Sequence, residues 1–144
     1  MEFDANSLMC SFSDDNEVRE TPESYEKRNP LKTKSFAFAI GCGKLGMPLC
    51  KEKITYFAGN QLLRSSSSVA ANVEEANGAS SPKDFVAKLY IALKEARESR
   101  FWLSYCNELG LISTEQSSLL TSDATEIIKI INAVTKTTRS RHLK

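Results

Sequence analysis

From Ser81 to Gly110 the chain carries the pattern that most restricts its fold. Phe85, Leu89, Ala92, Ala96, Ser99, Leu103 and Cys106 recur at steps of four and three, the spacing that keeps side chains on one stripe of an α-helix. Both ends are marked. Ser81 stands where a cap belongs, Pro82 takes the first helical position, Asp84 follows three residues after the serine, and Gly110 supplies the stop. The predicted helix has about 28 residues and is roughly 42 Å long. An amphipathic rod of that length cannot cover its own apolar stripe, so the rest of the chain must supply partners. Ala92, Ala96 and Ser99 at its middle leave room for a neighbouring helix to approach closely.

The rest of the chain offers three such partners. Ser113-Thr114-Glu115-Gln116 is a second capping-box pattern, followed by Gln116, Leu120, Ala124, Ile127, Ile131 and Val134 at the same spacing. Upstream, Leu62, Ser66, Val69, Val73 and Ala76 form another stripe, widened by Leu63 and Ala70 and closed by the turn residues Asn77-Gly78 and Ser80 to Pro82. Lys34 to about Lys53 carries the weakest signal: Phe36, Ile40 and Gly43 hint at a helical period, whereas Gly41, Gly43, Gly46 and Pro48 oppose it. With short connections and no strand pattern, the expected fold is all-α, an up-down-up-down antiparallel four-helix bundle.

Charge divides the chain of 144 residues unevenly. Residues 1 to 30 hold eight acidic against three basic side chains, a net of −5, which leaves +6 for the remainder because the whole sums to +1. These thirty residues have few large apolar side chains, no helical or strand period, and Pro22 and Pro30. They are expected to form a disordered acidic tail, ahead of a bundle over 31–140 and a short basic end over 141–144. No apolar run approaches the roughly 18 to 20 residues of a membrane span, and the start MEFDANSL lacks the basic region of a secretory signal. A cytoplasmic protein is expected. Cys10, Cys42, Cys50 and Cys106 include no C-x-x-C pair, and the single histidine is His142, so free thiols are expected and no metal or other cofactor.

The segment Gln61 to Ser65, then Ser68-Val69-Ala70-Ala71-Asn72-Val73-Glu74-Glu75-Ala76, then SPKDFVAKLYIALKEARESRFWL from Ser81 to Leu103 resembles the bacterial four-helix-bundle proteins first noticed in intervening sequences of 23S ribosomal RNA genes. The resemblance runs from about Asn29 to Arg139. Its most specific part is the pairing of Asn72-Val73-Glu74-Glu75-Ala76 with Ile91-Ala92-Leu93-Lys94-Glu95-Ala96 at the family's separation. It implies an antiparallel bundle that often assembles as a homopentamer, with no established enzyme activity. More distantly, the chain is similar to the accessory variability determinant of diversity-generating retroelements, a basic pentamer that binds nucleic acid and partners a reverse transcriptase. That likeness implies RNA, DNA or a reverse transcriptase as partners.

The polar residues fit an adaptor better than an enzyme. Arg64, Asn72, Glu75, Glu95 and Glu98 fall on the second and third helices, where facing carboxylates can do acid/base work or hold metals. The di-iron version needs Glu-x-x-His motifs, and the one histidine lies near the end. These five therefore read as a structural polar network, a buried ion pair of Arg64 with Glu75 or Glu95. Ser65 to Ser68 lacks a histidine base and reads as small-residue packing with hydroxyls bonded back to helix carbonyls. No catalytic residue is expected.

Phosphate binding has a firmer basis: Lys83, Lys88, Lys94, Arg97 and Arg100 on the third helix and Lys136, Arg139, Arg141 and Lys144 at the end. A homo-oligomer would multiply that charge. Tyr90, Phe101, Trp102 and Tyr105 could stack on bases, although Trp102 and Tyr105 lie three apart on one ridge and read as packing residues. The alternative is a protein-only scaffold, with Lys94 and Glu98 as a surface pair and the remaining charge simply solvated.

Gly41-Cys42-Gly43-Lys44-Leu45-Gly46 fits G-x-G-x-x-G, but a dinucleotide loop must join a strand to a helix, with an acid about twenty residues later. Positions 59 to 66 hold no acid and nothing downstream reads as a sheet. The stretch reads instead as the middle of the first helix. Three glycines at about 1 kcal/mol each and a proline at about 3 weaken it by roughly 6 kcal/mol against alanine. A kinked, locally mobile helix is expected, bent or broken near Lys44, with Ala39, Gly43 and Gly46 clearing a face for a neighbour.

Overall fold

The computed structural model describes Ala5 and residues 29–143. Four helices follow one another: α1 (Pro30–Leu49), α2 (Tyr56–Asn77), α3 (Pro82–Glu108) and α4 (Thr114–His142). Among the described residues there is no strand. Consecutive helices pack along most of their lengths, and α1 closes the bundle against α4 along a narrower contact. The order is antiparallel throughout. Asn29, before α1, donates from Nδ2 to Asn77 Oδ1 at the end of α2 (3.0 Å), and Arg139, late in α4, reaches Tyr90, early in α3.

The caps act where local chemistry places them. Ser81 Oγ accepts from Asp84 N and Pro82 opens α3. Ser113 and Gln116 form a reciprocal capping box at the start of α4, and Gly110 takes the left-handed conformation at φ 69°. Asn29 caps α1 by accepting from Lys32 N (3.0 Å).

The stripe that opened the sequence analysis is buried from end to end, Phe85 through Cys106. The α2 stripe of Leu62, Ser66, Val69, Val73 and Ala76 is buried as well. On α4, Ala124, Ile127, Ile131 and Val134 enter the core, while Gln116 stays exposed in its capping box and Ser117 takes the inward place beside it.

Helix α1 departs from the sequence reading twice. Its core face is Leu31, Ser35, Phe38, Cys42 and Gly46, whereas Phe36 and Ile40 stay 65% and 47% exposed. Both faces of α1 are apolar, and the periodicity seen from Phe36 belongs to the outer one. The helix also runs without a break through Lys44 to Leu49. Pro48 sits in the final turn, where the Cys50 N–H still bonds back to Gly46 O and Met47 O, so the lost Lys44 bond falls next to an end that frays in any case.

Tertiary contact offsets the weak propensity of the glycines. A Cβ at Gly46 would stand 3.0 Å from Gly59 O, and one at Gly59 would stand 2.7 Å from both Gly46 O and Leu49 Cβ. The α1 and α2 backbones therefore touch at this pair. Gly43, by contrast, would meet only Leu63 Cδ2 at 3.8 Å.

Ala5 is 3% exposed and belongs to the core cluster, which the expectation of a wholly disordered tail did not foresee. Asn29 and Pro30, also assigned to that tail, belong to the start of α1 as its cap and first residue; its other residues lie outside the described part, as does Lys144. The basic end does not start a separate segment at 141, since α4 continues through Arg141 to His142.

Candidate nucleic-acid interface

The outer face of α3, opposite its buried stripe, carries Lys83, Tyr90, Lys94, Arg97 and Phe101 at steps that are sums of three and four residues, with Arg100 turned toward α4. Two contacts fix its register. Arg100 Nη1 donates to Thr125 Oγ1 (3.3 Å), and Arg139 Nη1 donates to Tyr90 Oη (3.0 Å). From Thr125 to Arg139, α4 presents Thr125, Lys129, Asn132, Lys136 and Arg139 on one stripe, about 21 Å long at 1.5 Å per residue. The two rows form a seam lined with basic side chains. A cleft of about 340 Å³ opens at its Tyr90 end, between Tyr90, Asn132, Thr135, Lys136 and Arg139.

The acids of the neighbouring helices are engaged away from this seam. Glu95 and Glu98 turn to Arg64 on α2, and Glu126 turns to Lys34 on α1 (2.9 Å). Among the described residues, the ion pairs are these two sets together with Lys32–Glu74 and Lys88–Glu75. Lys94, Arg97, Arg100, Lys129, Lys136 and Arg139 thus carry their charge without a carboxylate partner.

The structure sorts the sequence-predicted basic residues. Arg100, Lys136 and Arg139 lie on the α3/α4 border, and Lys83, Lys94 and Arg97 stand on the exposed outer face of α3 beside it. Lys88 does not: it faces α2 and is paired with Glu75, which raises the pKa of its ammonium through the hydrogen bond and then the charge of that carboxylate. Arg141 lies in the last turn of α4, off the stripe, and is exposed. Lys129 is an addition. The sequence spacing from Thr125 to Arg139 contains it, but only the packing of α4 on α3 shows that this stripe matters.

Of the predicted polar network, the Arg64–Glu95 pair is present and the rest is rearranged. Arg64 bonds both Glu95 (3.3 Å) and Glu98, and Glu98 also accepts from Trp102 Nε1 (3.3 Å). Glu75 belongs to Lys88 instead, and Asn72 donates within its own helix to Ser68 O (2.9 Å). Nor is the network buried, since the Arg64 side chain is 46% exposed. Glu98 is held below the usual carboxylate range, first by the hydrogen bond from Arg64. Lys94 and Glu98 therefore do not form the surface pair considered above.

The serine run packs α2 against α3. Ser65 and Ser99 are fully buried with their hydroxyls 2.9 Å apart, while Ser66 and Ser67 donate to Leu63 O and Arg64 O. Cys42, Cys50 and Cys106 are free. Burial pushes the Cys42 thiol up to about 12 against an opposing hydrogen bond with Ser66, and burial also raises Cys106. Both are thiols rather than nucleophilic thiolates at neutral pH. Among the described residues no three His, Cys, Asp or Glu side chains gather to hold a metal, and no helix is long and apolar enough to cross a membrane.

Apolar surface collects elsewhere. Phe36, Ala39 and Ile40 of α1 face Ala70 and Ala71 of α2 across a groove of about 570 Å³, edged by Lys32, Ser67 and Glu74. A second patch joins Phe57 of α2 to Phe101, Trp102 and Tyr105 of α3, with ring centroids 5.0 to 6.2 Å apart. Phe57 is 50% and Phe101 56% exposed.

Residues 27–133 match the family described as 23S rRNA-intervening sequence protein. The chain belongs to that family. A solved structure from Bacteroides thetaiotaomicron, described as a protein with unknown function from the S23 ribosomal protein family, shares 39% identity and a TM-score of 0.70 with it. The likeness covers 74% of this chain and 98% of that one. No curated protein matches the chain. Membership in the 23S rRNA-intervening sequence protein family agrees with the four-helix fold, and the family is not described as carrying an enzymatic activity.

Proposed function

We propose that this member of the family is a non-enzymatic, self-associating bundle that binds nucleic acid through the α3/α4 seam. One observation carries the reading: Lys94, Arg97, Arg100, Lys129, Lys136 and Arg139 share the exposed surface of α3 and α4 without a carboxylate partner among the described residues, while Glu95, Glu98 and Glu126 of the same helices pair with α2 and α1. Such an arrangement attracts phosphates and releases their counterions, and repetition of the seam in an oligomer strengthens the field. The apolar α1/α2 groove with Phe36 and Ile40 supports the self-association. That same groove favours the alternative, a protein-protein scaffold without nucleic-acid binding.

A gel-shift titration of the full chain across salt concentration separates the two. Affinity for RNA or DNA is expected to fall steeply as salt rises, and Arg97→Glu with Lys129→Glu is expected to reduce the slope of log K against log salt by roughly 0.7 to 0.9 per lost phosphate contact. No binding at low salt leaves the scaffold. Sedimentation of Phe36→Ser with Ile40→Ser tests self-association, with a smaller assembly as the expected result.

A further inference from the structure

We infer that the seam is built for single-stranded rather than duplex nucleic acid, with bases seated on Tyr90 and Phe101 and phosphates on the basic side chains between and beside them. The inference rests on the nucleic-acid reading and narrows it to one substrate class. Tyr90 and Phe101 are 39% and 56% exposed. They stand eleven residues apart on one ridge of α3, about 16 Å along the axis, with Lys94 and Arg97 between them. Exposed aromatic rings interleaved with cations are what an unpaired strand can use, because its bases are free to stack while its backbone meets the charge. A duplex keeps its bases stacked inside and would cover both rings with phosphate backbone, removing apolar surface from water without a π partner.

The Tyr90 end has the form of a place for one nucleotide. Arg139 donates to the Tyr90 hydroxyl, which holds the ring and the guanidinium side by side, and the adjoining cleft adds Lys136 for a phosphate and Asn132 for a base edge. Asn132 offers both a donor and an acceptor there. Phe101 is the most exposed member of an aromatic cluster: it packs on Trp102 and Tyr105 with ring centroids 5.0 and 5.9 Å away, and those two are half-buried and reach Phe57, so Phe101 is the ring of the cluster left for a base.

The test is anisotropy with full-length protein on fluorescent oligo(U) and on an RNA duplex of equal length, at matched salt. The single strand is expected to bind at least tenfold tighter. Tyr90→Ala and Phe101→Ala should each weaken single-strand binding by roughly tenfold and leave duplex binding within about twofold, whereas Tyr90→Phe, which keeps the ring, should retain most of the affinity. Both positions are exposed, and thermal melting checks that the variants fold. Equal binding of duplex and single strand, or equal losses on both, overturns the single-strand inference and leaves nucleic-acid binding standing. Absence of binding to either probe removes the nucleic-acid reading itself. A change of assembly size in Phe101→Ala without change in affinity makes that ring an interface between copies and also overturns the inference.

Discussion

The two halves of the bundle solve the same packing problem with opposite outer faces. In α3 and α4 the inward stripe is mainly apolar, with Ser99, Ser117, Thr135 and Thr138 set into it, and the outer surface is basic, so one pattern marks the core and the other marks a surface for anions. In α1 and α2 the inward stripe contains Ser35, Cys42, Gly46, Gly59 and Ser66, while Phe36 and Ile40 lie outside. The first half therefore brings two backbones together at one glycine pair and keeps apolar surface for a partner, and the second keeps charge. Hydrophobicity identifies a core face only when the opposite face is polar.

The largest effect expected of that contrast concerns two neighbouring phenylalanines of α1. Phe38→Ala should cost about 3 to 5 kcal/mol in chemical denaturation, because the ring is fully buried. Phe36→Ser should leave monomer stability within about 0.5 kcal/mol. Equal losses would mean that the core face of α1 has been wrongly assigned.

Next come the glycines. Gly59→Ala forces a Cβ against Gly46 O and Leu49 and should destabilise by about 1 to 3 kcal/mol of overpacking, less a propensity gain of up to about 1. Gly43→Ala, with only Leu63 at contact distance, should raise the melting temperature by an amount equivalent to about 1 kcal/mol. A loss at Gly43 would show that α1 and α2 approach more closely than the glycine pair alone requires.

Smaller effects belong to the ion pairs that join the halves. Glu75→Ala removes a surface contact with Lys88 and should shift the melting curve only slightly. Glu98 has a folded pKa below its ordinary value. Its contribution is therefore complete above the ordinary carboxylate range and is lost as pH falls through the lowered value. Glu98→Gln should flatten the acid limb of a stability–pH profile slightly; an unchanged acid limb would show that Arg64 contributes nothing through this carboxylate.

Where the sequence was legible, the signal was local and redundant. Ser81-Pro82 and the Ser113–Gln116 box mark helix starts by satisfying backbone N–H groups within their own turn, and the Phe85–Cys106 stripe has polar residues around it. Part of the site was legible too, since Lys94, Arg97, Lys136 and Arg139 stand out as charges. Lys129 did not, because one lysine on a long helix means little until the face turned toward α3 is known. Of the two partners offered for Arg64, Glu95 is met and Glu75 is not, and the added pairing with Glu98 was hidden, since the rotation of α2 against α3 decides which carboxylate comes within reach.

By itself the sequence determined that this chain makes four helices, two of them with marked starts, and three clear apolar stripes, because capping and periodicity depend on residues within a few turns of one another. Only the tertiary structure decided which face of α1 enters the core, that Gly46 and Gly59 bring two backbones into contact, and that Arg100 and Arg139 come to the same border between α3 and α4. Those outcomes depend on how whole helices rotate against each other, which is set by the summed packing of the bundle and not by any local run of residues.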